Sequence, residues 1–147
     1  MAASRAIHLF NRQRTIRFDF PWLRRLAPIA LAECEGEGIA PGAPLESLVE
    51  IEVSIVSDRA IADVHRRFMN IPGPTDVITF EYGEIVISAE TAARYALEYN
   101  QRIEHELALY VIHGLLHLNA YDDLIEPAAS QMKQTQSVLL RRALQAC

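Results

Sequence analysis

The run Leu48-Val49-Glu50-Ile51-Glu52-Val53-Ser54-Ile55-Val56-Ser57-Asp58 decides how this chain folds. Val49, Ile51, Val53 and Ile55 alternate with Glu50, Glu52 and Ser54, the period-two pattern of a strand with one apolar face. The period then changes. Ile61, Val64 and Phe68 fall three and four apart, so a helix spans about 59–69, with Ser57 or Asp58 as its cap and Ile71-Pro72-Gly73-Pro74 as its end. Two short apolar runs follow, Asp76–Phe80 and Glu84–Ser88, joined at Tyr82-Gly83, and both read as inner strands. Upstream, residues 5–18 alternate in a strand-like way around a polar Asn11-Arg12-Gln13 centre. Pro21 suits the first turn of a helix whose period is carried by Trp22, Leu23, Leu26, Ile29, Ala30 and Glu33. Gly36 and Gly38 stop that helix, and Gly38–Pro44 is a loop by composition. From Ala89 onward the pattern is helical, over about 89–99, 102–119 and 127–145. The expected fold is α+β: a small mixed β-sheet packed with helices, in a single domain over residues 1–147.

Composition narrows the class. Half of the 147 residues are hydrophobic and 22% are charged, which excludes a disordered tail or a low-complexity linker. Cys34 and Cys147 are too few for a disulfide framework, so a reducing compartment is expected. Met1–Phe10 holds no apolar stretch long enough for a signal-peptide core, and no run approaches the roughly 18 apolar residues of a membrane-spanning helix. The expectation is a soluble, cytoplasmic protein without a membrane partner.

The net charge of −5 argues against a nucleic-acid partner, but its distribution argues the other way. Arg5, Arg12, Arg14, Arg17, Arg24 and Arg25 against Asp19 alone give residues 1–25 a net of +5, while the chain from Thr75 onward carries −5. Lys133 is the one lysine among 14 basic residues, and the arginine fork pairs with phosphate oxygens in a way that lysine does not. A basic end that merely solvates the surface is the plainer reading of the same pattern.

The chemistry lies in Tyr110-Val111-Ile112-His113-Gly114-Leu115-Leu116-His117-Leu118-Asn119-Ala120-Tyr121-Asp122-Asp123. His113 and His117, four apart in a helical segment, share one helix face and can share one metal ion. Asp123, past the expected helix end, can return to the same ion. A His₂Asp set leaves a fourth position for water, the pattern of catalytic zinc sites. The competing reading is a core-facing histidine pair satisfied by backbone carbonyls. His105 lies eight residues before His113, about 12 Å along a helix axis, too far to join them. His8 and His65 read as ordinary side chains. The His-Glu-x-x-His metalloprotease pattern places its general base where this chain has Gly114.

These residues resemble a known family. His113-Gly114-x-Leu116-His117-Leu118-x-x-Tyr121-Asp122 is similar to the His-Gly-x-Leu-His-Leu-x-Gly-Tyr-Asp-His signature of the YbeY family of bacterial metal-dependent endoribonucleases. Pro74-Thr75-Asp76-Val77-Ile78-Thr79-Phe80 resembles its Pro-Thr-Asp-Val-Leu-Ser-Phe block, and Gly83-Glu84-Ile85-Val86-Ile87 its Gly-Asp-Ile-Val-Ile strand. Three departures stand out. Position 123 is Asp where the family usually has His, position 120 is Ala where it usually has Gly, and Met69 occupies the place of an Arg that precedes the Pro-Thr block. A left-handed turn at Ala120 would be strained. The substitution at 123 adds a negative charge and suits harder metals.

The resemblance implies a metal-dependent, single-strand-specific endoribonuclease in ribosomal RNA maturation, with the ribosome or a ribosomal subunit as partner. On that reading His113, His117 and Asp123 hold one Zn²⁺ or another divalent transition metal ion. Asp122 orients a ligand histidine. Arg66 or Arg67 stands in for the arginine absent at 69, and Arg12 and Arg14 follow the RNA backbone. The alternatives are a non-catalytic ribosome-assembly factor with a structural metal, and a zinc peptide or small-molecule hydrolase.

Overall fold

The computed structural model describes residues 5–147. The first four residues of the expected domain lie outside the described residues. In chain order the elements are β1 (Ala6–Asn11), α1 (Phe20–Gly36), α2 (Pro44–Ser47), β2 (Glu50–Val56), α3 (Asp58–Met69), β3 (Val77–Phe80), β4 (Glu84–Ser88), α4 (Ala89–Glu98), α5 (Ile103–Leu118) and α6 (Ala128–Ala146). The sheet runs β1-β2-β4-β3 and is mixed as expected: β1, β2 and β4 are parallel, and β3 is antiparallel to β4. Parallel neighbours need crossovers, which α1 and α3 supply. The β3–β4 hairpin turns at Gly83, where φ is +108° and a Cβ would come within 2.9 Å of the Glu50 carbonyl oxygen.

Two expectations need correcting. β3 is an edge strand rather than an inner one, because β4 pairs with β2 on its other side. Residues 44–47 form a one-turn helix, started by Pro44, that lowers Leu45 into the core.

The pleat sorts the strands between two clusters. Ile51, Val53 and Ile55 of β2 and Ile85 and Ile87 of β4 join Leu23, Leu26, Leu107, Ile112 and Leu115 in the main core, under α1 and α5. Val56, Ile78 and Val86 point to the opposite face and are covered by Ile61 of α3. α5 is the most enclosed helix, with ten of its sixteen residues buried on several sides, as expected of a central helix. It approaches β4 so closely that a Cβ on Gly114 would stand 2.7 Å from Cδ1 and Cγ2 of Ile85.

α3 begins as the sequence suggests: Ser57 accepts a hydrogen bond from the Ala60 amide. Asp58 has another task. Its carboxylate accepts from the hydroxyls of Ser88 (2.6 Å) and Thr91 (2.7 Å) and pairs with Arg94 (2.6 Å), tying α3 to α4. Burial works to raise the Asp58 pKa, but the hydrogen bonds from Arg94, Ser88 and Thr91 and the charge of Arg94 outweigh it and hold the carboxyl below the usual range. A depressed carboxyl stabilises the fold above its unfolded pKa of about 4 and loses that contribution as pH falls through the folded value.

Two measurements check this frame. Gly114→Ala gains about 1 kcal/mol of helix propensity but overpacks the Ile85 contact at a cost of about 1–3 kcal/mol, so chemical denaturation should show a net loss that shrinks in an Ile85→Ala background. Asp58→Ala should cost about 1–3 kcal/mol near neutral pH, since the buried Ser88 hydroxyl loses an acceptor, and the gap to the unsubstituted chain should close on acidification.

Candidate metal centre

The site is built at the C-terminal end of α5. The i, i+4 spacing sets the His113 and His117 rings 4.6 Å apart between centroids, with Nε2 facing Nε2 at 3.1 Å. α5 then closes in a Schellman turn: the Ala120 amide donates to the His117 carbonyl and the Tyr121 amide to the Leu116 carbonyl, both at 3.0 Å. Ala120 takes the left-handed conformation this turn requires, with φ +68°. Asn119, buried, anchors the turn by donating to the Gly38 carbonyl and accepting from the Ala40 amide, both at 2.9 Å. The reversal carries Asp123 back over the helix end, where Oδ2 lies 3.3 Å from His117 Nε2 and 3.4 Å from His113 Nε2.

These three atoms form a triangle with edges of 3.1, 3.3 and 3.4 Å. An ion held tetrahedrally by bonds of about 2.0–2.2 Å sets its ligand atoms about 3.3–3.6 Å apart. The His-His-Asp group could therefore hold one metal ion. The donor set fits as well, being two imidazole nitrogens and a carboxylate oxygen, all ligand types for a divalent transition metal. The side chains are 25%, 28% and 40% exposed in the order His113, His117, Asp123, so solvent reaches the group.

The remaining residues singled out in the sequence lie elsewhere. Asp122 is not hydrogen-bonded to either histidine: its Oδ1 accepts from the Leu124 amide at 2.8 Å, closing a local turn. The contact from His113 Nδ1 goes instead to Oε1 of Gln136 on α6, at 2.8 Å. No sequence signal marks that contact, because the partners are 23 residues apart on different helices. Arg66 and Arg67 are exposed and both pair with Asp63 at helical spacing, on a helix packed against the sheet face opposite α5. Neither is brought to the centre. Arg12 is bound on that same sheet face, to Glu52 and Ser54 at 3.2 Å and over the Phe10 ring. Arg14 is exposed. His105 packs beside Trp22, and His65 Nδ1 meets the Gly73 carbonyl, both apart from the centre.

The family model described as "Endoribonuclease YbeY" matches residues 11–144. This chain belongs to the YbeY family. A Moorella thermoacetica protein named endoribonuclease YbeY is 31% identical, over 88% of this chain and 92% of its own length. A Heliobacterium modesticaldum protein of the same name is 32% identical over 82% of each. The solution structure of a Thermotoga maritima protein, 24% identical, superposes over 95% of this chain and 87% of its own with a TM-score of 0.58, which shows a shared fold.

Ala120 departs from the YbeY signature at the residue where the backbone is left-handed. Ala120→Gly is expected to raise stability by about 0.5–1 kcal/mol, because relief of the left-handed penalty exceeds the entropy cost of glycine. Equilibrium denaturation reads it directly, and a loss of stability would show that the turn is not under strain.

Proposed function

We propose that this chain, as one domain over residues 1–147, is a metal-dependent endoribonuclease that cuts single-stranded ribosomal RNA during ribosome maturation in the cytoplasm. The observation that supports this most is the convergence of His113 Nε2, His117 Nε2 and Asp123 Oδ2 within 3.4 Å of one another on a solvent-reachable surface. Those residues would hold one divalent ion, Zn²⁺ or a relative. Such an ion, when bound, supplies a Lewis acid for a phosphate oxygen and lowers the pKa of water toward 7.

The chain's own residues account for the rest. α5 holds both histidines on a buried, rigid element, so little reorganisation is needed to present their nitrogens. Asp123 contributes the only formal charge among the three donors and offsets that of a divalent cation. Leu124 and Ile125, next in the chain, are 86% and 68% exposed. An unstacked base has an apolar face that such side chains can cover, whereas a duplex hides its base faces, and this favours single strands. Arg14, Arg17 and Arg25 are exposed on the N-terminal segment and offer forks for phosphate.

The protease alternative fares poorly in this geometry. The position where a metalloprotease keeps its glutamate is Gly114, and that position faces Ile85 in the core rather than the histidines. No side chain there could act on a bound water.

His113→Ala and His117→Ala should each lose bound metal by elemental analysis and lose single-stranded RNA cleavage by at least about 100-fold, with the fold retained by circular dichroism. Full cleavage without metal would overturn the proposal. Loss of metal accompanied only by a lower melting temperature would support a structural ion instead.

A further inference from the structure

α6 presents its apolar side to the rest of the molecule through Met132, Leu139 and Ala143, all buried. Gln136 lies on the same stripe, four residues after Met132 and three before Leu139, where helical periodicity calls for another apolar residue. An amide in that stripe needs a partner to offset its desolvation. Its partner is the ring of His113, with Oε1 2.8 Å from Nδ1.

We propose that Gln136 is a positioning residue for the metal centre, its side-chain carbonyl accepting the Nδ1–H of His113 and so holding that imidazole in the tautomer whose Nε2 lone pair faces His117 and Asp123. The inference rests on the metal-centre reading above and extends it to a residue on a different helix. A carbonyl oxygen can only accept, so the 2.8 Å contact is a hydrogen bond when the hydrogen sits on Nδ1 of His113. Nε2 of a neutral ring is then unprotonated, which is the state a metal ligand requires. The hydrogen bond also fixes the ring about χ2, so ordering it on metal binding costs less. Partners of this kind typically change metal affinity by about 10- to 100-fold when removed.

Gln136 is neutral, unlike the carboxylates that often hold ligand histidines. It orients His113 without adding charge, so Asp123 remains the one anionic group among the side chains that meet at this centre. The family's usual third histidine is replaced by a carboxylate here, and a neutral orienting partner adds no second negative charge to the assembly.

The test uses two variants and two readouts that need no catalysis. Gln136→Leu completes the apolar stripe and should fold at least as stably as the unsubstituted chain by thermal denaturation. Zinc affinity, measured by competition with a chromophoric chelator, should fall about 10- to 100-fold in Gln136→Leu and should equal or exceed that of the unsubstituted chain in Gln136→Glu. In metal-free protein in mildly alkaline buffer, ¹⁵N-correlated NMR of the imidazoles should show His113 as the Nδ1–H tautomer, with a shift toward Nε2–H in Gln136→Leu. Equal zinc affinity in Gln136→Leu and the unsubstituted chain would overturn the inference and leave the metal centre standing, as would His113 carrying its hydrogen on Nε2 while Gln136 is present. Failure of the unsubstituted chain to take up zinc or any other divalent transition metal would overturn both.

Discussion

The site depends on how closely α5 lies against β4. Gly114 has no side chain because Ile85 occupies that space, with three of its carbon atoms within 2.9 Å of where a Cβ would stand. That contact lowers the helix onto the sheet, and α1, α4 and α6 then close around it. A helix held from so many directions has little freedom to rotate or slide. His113, next to this glycine, and His117, one turn on, inherit that rigidity and emerge about a quarter exposed where the packing ends. The glycine between the histidines is thus a packing residue of the core whose effect is felt at the surface.

What could be read from the sequence was whatever obeys a local period. The alternation in β2 correctly divided Ile51, Val53 and Ile55 from the residues facing the other side, although Val49, expected on the same face, precedes the strand and is exposed. The four-residue interval correctly placed both histidines together. Ser57 revealed itself as a cap because capping is a contact over three residues. The features that escaped are long-range. Nothing near β3 says that it ends the sheet. Nothing near His113 points to Gln136, and nothing in the sequence says that the Asp122 carboxylate accepts from the Leu124 amide while His113 meets an amide on another helix.

Charge was the least legible layer. The arginines of residues 1–25 sum to a basic patch on paper, but several are engaged. Arg5 pairs with Glu35 at 2.8 Å and donates to the carbonyls of Leu45 and Glu46, which makes it a clamp between the start of β1 and α2. Arg12 is bound to Glu52, and Arg24 lies over the Phe20 ring. Likewise the acid Asp63 takes up both Arg66 and Arg67. A net charge counted along the chain ignores such pairing. The surface left for a polyanion is smaller and more specific than the count suggests.

Ala120 shows how much of the site is set by backbone rather than side chains. A left-handed alanine costs about 1–2 kcal/mol, so it persists only where its surroundings over-determine it. Here Asn119 is tied on both sides of its amide to the 38–40 segment, and Tyr121 is tied back to Leu116, which leaves residue 120 no other course. The same constraint that strains Ala120 aims Asp123. A carboxylate reached by a relaxed, wandering loop would order itself only at an entropic cost each time an ion was bound. Strain held permanently in the turn replaces that recurring cost, and the third donor stands in place with the two that the helix supplies.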